Sequence, residues 1–418
     1  MFRARFFAIA LSVTFSGCGA VSSSTDPSLE QSDEPAGNPS SVPSTPQATI
    51  PPHRGSEWEA LPPGVIVDVL DAAETSHVSG AKSAYFVRYT TTNVAGARAL
   101  ASGLVLIPET QPYSSGQWPM VLYSHMTTGA ADACAPTHGT NESSELRRMQ
   151  QGDSLARLLL ARGVVVARPD YEGMGEEGPH PYLRGEPLAR SVRDMAVAVK
   201  AHWPEIGNRW ISAGHSEGGV SALNTGNRLL PELANLNLIG IAAITPVTQL
   251  EYLLTIAEPL PVDAAGALAG LALKGIATVD PDFKSLLFKR GGLSPRAIAL
   301  WPDLERLCLE DLGNSQTWGG MTVNDMKGPN GDQVVAEVRN ALQKDDIRHL
   351  QMRSEVPIRI DAGISDAVAL LPFTEQLVNE YRQRGYDVTY QRWPATHSPT
   401  ADMAAPAISK WIMERFDQ

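Results

Sequence analysis

The sequence predicts an α/β domain: a mostly parallel central sheet, helices on both faces, and an inserted helical cap. Three observations predict it. Short apolar or β-branched runs alternate with stretches of helical spacing across short connections, the pattern of parallel strands joined by crossover helices. Between Thr245 and Pro357 that rhythm stops, and the chain becomes Ala- and Leu-rich with no strand pattern. A loop of that length in a compact domain forms a unit of its own. Finally, Gly214-His215-Ser216-Glu217-Gly218 sits between a strand and a helix.

Taken in order, Val65–Val69, Ala84–Tyr89 and Ala99–Ile107 are β-rich, and Asn93-Val94-Ala95-Gly96 joins the last two as an antiparallel hairpin. Met120–Tyr123 is a buried strand. Asp153–Ala161 is a helix through Leu155, Leu158 and Leu159, and Val164–Ala167 is again a strand. Pro187–Ala201 is a helix with Leu188, Val192, Met195 and Val199 on one face, and Pro187 suits its first turn. Trp210–Ala213 is a strand, Gly218–Leu230 a helix, and Ile239–Ile244 a strand. The cap, about residues 246–350, holds candidate helices at Leu250–Ala257, Ala264–Leu273, Asp282–Phe288 and Val334–Gln343. Its apolar run from Ala264 to Ala277 suits contact with a hydrophobic ligand. Pro357–Asp361 and Tyr386–Trp393 are the last strands, and Gln376–Arg384 and Ala404–Phe416 the last helices.

The N-terminus reads as a targeting segment. Arg3 and Arg5 precede an apolar run from Phe6 to Phe15, a signal-peptide pattern too short to span a membrane (residues 1–17). Phe15-Ser16-Gly17-Cys18 resembles the lipobox of bacterial lipoproteins, in which the cysteine is lipidated and becomes the mature N-terminus. The alternative is an ordinary secretory signal cleaved nearby. Both imply export, the first with a lipid anchor in a bacterial membrane. Residues 18–56 are rich in Ser, Pro, Asp and Glu, and read as the lipidated cysteine plus a disordered tether; the catalytic domain is residues 57–418.

The 418 residues carry 34 Lys and Arg against 46 Asp and Glu, a formal net charge of −12. That balance argues against a nucleic-acid partner and against electrostatic attachment to an anionic membrane. Three cysteines cannot staple a chain this long as a disulfide scaffold. With Cys18 assigned to lipid, Cys134 and Cys308 remain as a pair in an oxidising compartment, and a Cys134–Cys308 disulfide pinning cap to core is expected.

The chemistry lies at Gly214–Gly218. G-x-S-x-G on a strand-to-helix turn is a nucleophile elbow: the turn crowds both glycines and raises the Ser216 hydroxyl above the sheet edge. Without that chemistry the same residues would be a glycine-rich helix entry with a capping serine. A serine nucleophile needs a base, and the base needs an orienting carboxylate, in the chain order Ser, acid, His. Only His349 and His397 follow Ser216. His397 is placed on a loop between the last strand and the last helix and is favoured, whereas His349 lies in a charged stretch. Asp366 is favoured as the acid over Asp361 at the strand end, and Asp170 precedes the serine and is read as a loop-ordering residue. The oxyanion donors are the amide of Glu217 and that of Met126 or Thr127, on the loop after Met120–Tyr123, which His125 orders. Gly173-Met174-Gly175-Glu176-Glu177-Gly178 matches a dinucleotide fingerprint, but Pro179-His180-Pro181 follows instead of a helix, and the two glutamates repel phosphate. No H-E-x-x-H or paired Cys/His spacing supports a metal, and no cofactor is implied.

Three stretches then carry a family resemblance: Tyr123–Thr137, with Thr127-Thr128-Gly129 and Asp132-Ala133-Cys134-Ala135-Pro136-Thr137; Ala167–Gly175 followed by His180-Pro181-Tyr182-Leu183; and Trp210–Gly219. With these the chain, from about Leu61 onward, resembles the secretory lipase family of α/β-hydrolases, the group that includes lipase A-type enzymes. The resemblance implies an α/β-hydrolase sheet, a helical lid between Thr245 and Pro357, and hydrolysis of carboxylic esters, often lipids. Residue by residue it places the triad on Ser216, Asp366 and His397. The function expected is an exported lipase or esterase working through an acyl-enzyme on a small-molecule or lipid ester. The alternatives are an exopeptidase or acyltransferase on the same triad, and a non-catalytic surface lipoprotein.

Overall fold

The computed structural model describes residues 37–112, 116–252 and 263–418. The signal peptide, Cys18 and most of the candidate helix Leu250–Ala257 lie outside the described residues.

Among the described residues nine strands form one sheet: β1 (Ile66–Asp71), β2 (Ala81–Thr92), β3 (Arg98–Pro108), β4 (Trp118–Ser124), β5 (Val165–Pro169), β6 (Ile206–His215), β7 (Asn237–Ile244), β8 (Ile358–Gly363) and β9 (Val388–Trp393). Their spatial order is β1-β2-β3-β5-β4-β6-β7-β8-β9. The first three strands and the β3–β5 pair are antiparallel; from β5 through β9 every pair is parallel. The predicted hairpin closes at Thr92↔Arg98, and Gly96 takes φ 81° in its turn, a conformation that favours glycine.

Period-two alternation divides the core between the two faces of the sheet. Met120 and Leu122 of β4 join Leu188, Val192, Met195 and Val199 of helix Gly185–His202 on one face. Val121 and Tyr123 join Leu155 and Leu159 of helix Asp153–Leu160, and Ile408, Trp411 and Ile412 of helix His397–Phe416, on the other. Strands buried on both faces read as continuous apolar runs, as β4 and β5 do. Helix Leu371–Gln383 starts five residues before the expected Gln376, helix Asp263–Val279 runs six residues past the expected Leu273, and two further differences bear on the site. The helix after the elbow is Glu217–Thr225, shorter than Gly218–Leu230, because Gly226 follows it and Asn227 then pairs with Met352. The last helix begins at His397, seven residues before Ala404, and runs through Pro406.

The cap leaves the sheet after β7 and returns at β8, so the interruption of rhythm is a true insertion between neighbouring parallel strands. Its helices include Asp263–Val279, Pro281–Phe288, Pro295–Leu300 and Gly331–Lys344, around a core that includes Leu271, Leu286, Leu304, Trp301 and Trp318. Gly266 and Gly270 let the first of these press against Trp318; a Cβ at Gly270 would stand 2.6 Å from that ring. At the base of the insertion the Asp346 carboxylate accepts from the Thr248 hydroxyl at 2.7 Å and from the Gln249 amide, tying the two chain ends together.

Residues 37–56, expected to belong to the disordered tether, instead run without regular secondary structure along the cap and sheet. Asp303 accepts from the Ser40 amide at 3.1 Å, and Arg306 donates to the carbonyls of Ser40 and Val42. The Thr45 hydroxyl meets Asp311 at 2.6 Å and accepts from the Cys308 amide at 3.0 Å. Ala48 bonds the His138 carbonyl, and Arg88 bonds that of Pro51. The strap is held by polar bonds to buried partners, which a reading of its own low apolar content does not register.

Candidate active site

Ser216 sits between the end of β6 and the first residue of the next helix, at φ 58° and ψ −116°. A non-glycine residue persists there only when its surroundings fix it. Its amide donates to the Ile244 carbonyl at 2.9 Å. The flanking glycines are required by contact: a Cβ on Gly214 would stand 2.1 Å from the Gly218 carbonyl oxygen, and one on Gly218 would stand 2.0 Å from that of Ser124.

Beside Ser216 Oγ, at 2.8 Å, lies His397 Nε2, and His397 Nδ1 is 2.8 Å from Asp366 Oδ2. The carboxylate only accepts, so Nδ1 carries the hydrogen and Nε2 is left to receive the serine proton. The other Asp366 oxygen accepts the amides of Val368 and Ala369, each at 2.8 Å. His397 was expected on a loop; it is the first residue of the last helix, whose start Ser398-Pro399 disguises because proline fits a first turn as well as a break.

The rivals are placed elsewhere. Asp361 is clamped by the Arg359 guanidinium at 2.7 Å through both oxygens and by Trp393 Nε1 at 2.8 Å. Burial nevertheless pushes its carboxyl above the ordinary value. His349 is exposed. Asp170 accepts from Ser102, from the Thr137 hydroxyl and from the Thr137 amide, and burial raises it to about 6, as suits a residue that orders a loop. In the glycine run 173–178 no helix opens before Gly185, and Glu176 pairs with Arg88.

Met126 and Thr127 follow β4 on the loop beside the elbow, and the Glu217 amide opens the adjoining helix, where no preceding turn can satisfy it. His125 Nδ1 donates to the Met126 carbonyl at 2.6 Å, and the Tyr171 hydroxyl donates to the His125 carbonyl at 2.9 Å. Burial lowers His125 to about 4, so at neutral pH it is an uncharged brace. His215, buried and 5.0 Å from the His397 ring centroid, is held well below the usual range by burial and then by that neighbour. Sequence reasoning missed it, and missed the Glu217 side chain, because neither belongs to a spaced pattern.

Cys134 and Cys308 are joined as a disulfide with a Cα–Cα distance of 5.3 Å. It lies at the foot of the same loop: Thr128 Oγ1 donates to the Cys134 carbonyl at 2.8 Å, and the Leu309 amide to the Thr128 carbonyl at 2.8 Å.

A family model described as secretory lipase matches residues 143–418. Lipase 5 of Candida albicans is 24% identical over 324 residues, covering 73% of this chain and 67% of that protein. Candida antarctica lipase A in its closed state superposes with a TM-score of 0.73 at 17% identity, over 87% of this chain and 84% of that one. A ligand-bound form of the rice cell wall degrading esterase LipA from Xanthomonas oryzae gives 0.64 at 20% identity, over 86% and 98%. At these identities the solved structures speak for the fold.

Proposed function

The chain belongs to the secretory lipase family, a family of carboxylic ester hydrolases, and from that premise we propose that it is an exported serine esterase that cleaves lipid esters through Ser216, His397 and Asp366. The observation that carries this reading is the unbroken series of 2.8 Å contacts from Asp366 through His397 to Ser216. Ser216 Oγ attacks the acyl carbon while His397 Nε2 takes its proton. The amides of Glu217 and of Met126 or Thr127 hold the oxyanion. His397 then gives its proton to the leaving alkoxide as the carbon–oxygen bond breaks. Water, deprotonated by the same nitrogen, releases the acid and restores Ser216. Asp366 keeps the imidazole in the required tautomer and stabilises its protonated form.

The test is turnover of p-nitrophenyl esters across acyl lengths, with labelling by a fluorophosphonate. Ser216→Ala should abolish labelling and lower kcat by roughly 10⁶-fold; undiminished turnover in that variant would overturn the proposal. Export fits the family and the Cys134–Cys308 disulfide, since such bonds persist in oxidising compartments. Attachment of the mature chain through a lipid on Cys18, ahead of a tether ending near the ordered strap, is the anchoring we propose. The mass of the mature N-terminus checks it, and an unmodified terminus sinks it.

A further inference from the structure

The Glu217 side chain has no part in the acyl-transfer steps, yet it is 1% exposed, one residue from Ser216. A carboxylate taken out of water must be compensated by donors, and here they converge from two loops. Thr127 Oγ1 donates to Oε2 at 3.0 Å, and the Thr127 hydroxyl also meets the Tyr182 hydroxyl at 3.1 Å. The Leu183 amide reaches Oε1 at 3.4 Å, and His180 Nε2 lies 3.2 Å from the same oxygen. His180 Nδ1 is 3.0 Å from the Glu172 carbonyl. A carbonyl only accepts, so Nδ1 carries a hydrogen, and one proton must lie between His180 Nε2 and Glu217 whichever of them holds it. The pair is therefore complete in itself. On the far side, cap helix Asp263–Val279 rests on the same loop: a Cβ on Gly275 would stand 2.2 Å from the Tyr182 carbonyl oxygen.

We propose that the Glu217 carboxylate is a positioning group for the oxyanion donors. This rests on the serine-esterase reading above. The Glu217 amide is one donor; its side chain holds Thr127, on the irregular loop that carries the other. Backbone donors stabilise a developing charge only if aimed before it appears. The other bonds of that loop run from Tyr171 to the His125 carbonyl, from the His125 ring to the Met126 carbonyl, from the Thr128 hydroxyl to the Cys134 carbonyl and from the Leu309 amide to the Thr128 carbonyl, so among the described residues it is the Thr127 hydroxyl that hydrogen-bonds the loop to a side chain of the serine helix. Joining both donors through one residue fixes the distance between them.

The experiment uses the full-length protein with Glu217→Ala, Glu217→Gln, Thr127→Val and the Glu217→Ala/Thr127→Val pair, measuring kcat and KM on a p-nitrophenyl ester and affinity for a boronic acid inhibitor. Glu217→Ala should lower kcat about 10- to 100-fold, somewhat less than loss of a whole donor, with KM nearly unchanged and inhibitor affinity falling in step. Glu217→Gln, which still accepts from Thr127, should recover most of the rate. The double variant should be no worse than the poorer single. Parental kcat in Glu217→Ala, a loss confined to KM, or no recovery in Glu217→Gln overturns the proposal. If Glu217→Ala does not fold, the near-isosteric Thr127→Val decides: a parental kcat there overturns it, and a fall in kcat alone supports it. Failure of the serine-esterase reading shows separately, as activity surviving in Ser216→Ala or no fluorophosphonate label on the parent.

Discussion

Along the carboxyl edge of the sheet each member of the proposed triad is placed by its own strand end: Ser216 directly after β6, Asp366 three residues after β8, His397 four residues after β9. Across the seam between sheet and cap, nothing is placed that way. Cys134 meets Cys308 across 174 residues, Thr45 meets Asp311 across 266, and Glu145 accepts the Glu310 amide across 165. The edge is held by backbone geometry and carries the proposed triad. The seam is held by one covalent bond and a set of part-buried polar contacts, and serves attachment. Substitutions of Ser216, Asp366 and His397 should therefore move rate more than stability, and those at the seam should do the reverse.

Asp366 and Asp361 give the largest contrast, because both are buried, five residues apart at the same strand end. Asp366→Asn should lower kcat about 10³- to 10⁴-fold by releasing the His397 tautomer, with little change in Tm. Asp361→Asn should leave kcat near the parental value but destabilise the fold by about 3–5 kcal/mol, because Arg359 is left buried without its counter-charge. Steady-state kinetics beside thermal unfolding of both variants separates the two roles; an exchange of outcomes would reassign the acid to Asp361.

The disulfide tests the seam. Cys134→Ser with Cys308→Ser should cost about 2–4 kcal/mol, the usual worth of a bond that closes a long loop, while kcat at room temperature stays close to parental. The reason is local: the loop that the disulfide footing shares with Thr128 is also tied to the elbow by Thr127 and Glu217. A large fall in kcat in the folded double variant would show that the seam reaches into the site.

The same contrast explains what was legible in the sequence. All nine strands of the described residues were readable, because β4 and β5 are apolar on both faces and the others are short runs rich in β-branched and aromatic residues. The strand-to-helix turn at Gly214–Gly218 was legible because both glycines are sterically forced. The place of His397 beside Ser216 was legible from order and position although its helix start was misread, since Pro399 and Pro406 carry the signature of a loop while sitting inside a helix. The strap from 37 to 56 was lost for a different reason: its bonds go to Arg306, Asp303 and Asp311, and single polar contacts between distant segments leave no period in either one. Glu217 was read for its amide and not for its carboxylate, since its partners Thr127, His180 and Leu183 lie on two loops that only the fold brings near.

The smallest effect lies in the seam's own titration. Glu145 is fully buried; its carboxylate accepts from Arg148 at 3.1 Å and from the Glu310 amide at 2.8 Å, while Arg148 also bridges to Glu310 at 2.8 Å. Burial outweighs those partners and raises the carboxyl from 4.5 to about 7. A folded value above the unfolded one means that the folded state prefers the proton. The stability this preference contributes is full below 4.5, and is lost as pH rises through 7. Glu145→Gln cannot ionise, so the stability of the variant relative to the parent should climb by about 1–3 kcal/mol between pH 4.5 and pH 8, whatever constant offset the new amide introduces beside Arg148. Denaturant unfolding of both proteins across that range reads the difference directly. Parallel curves would mean that Arg148 neutralises the carboxylate in full, and that the seam holds this charge at no cost to the fold.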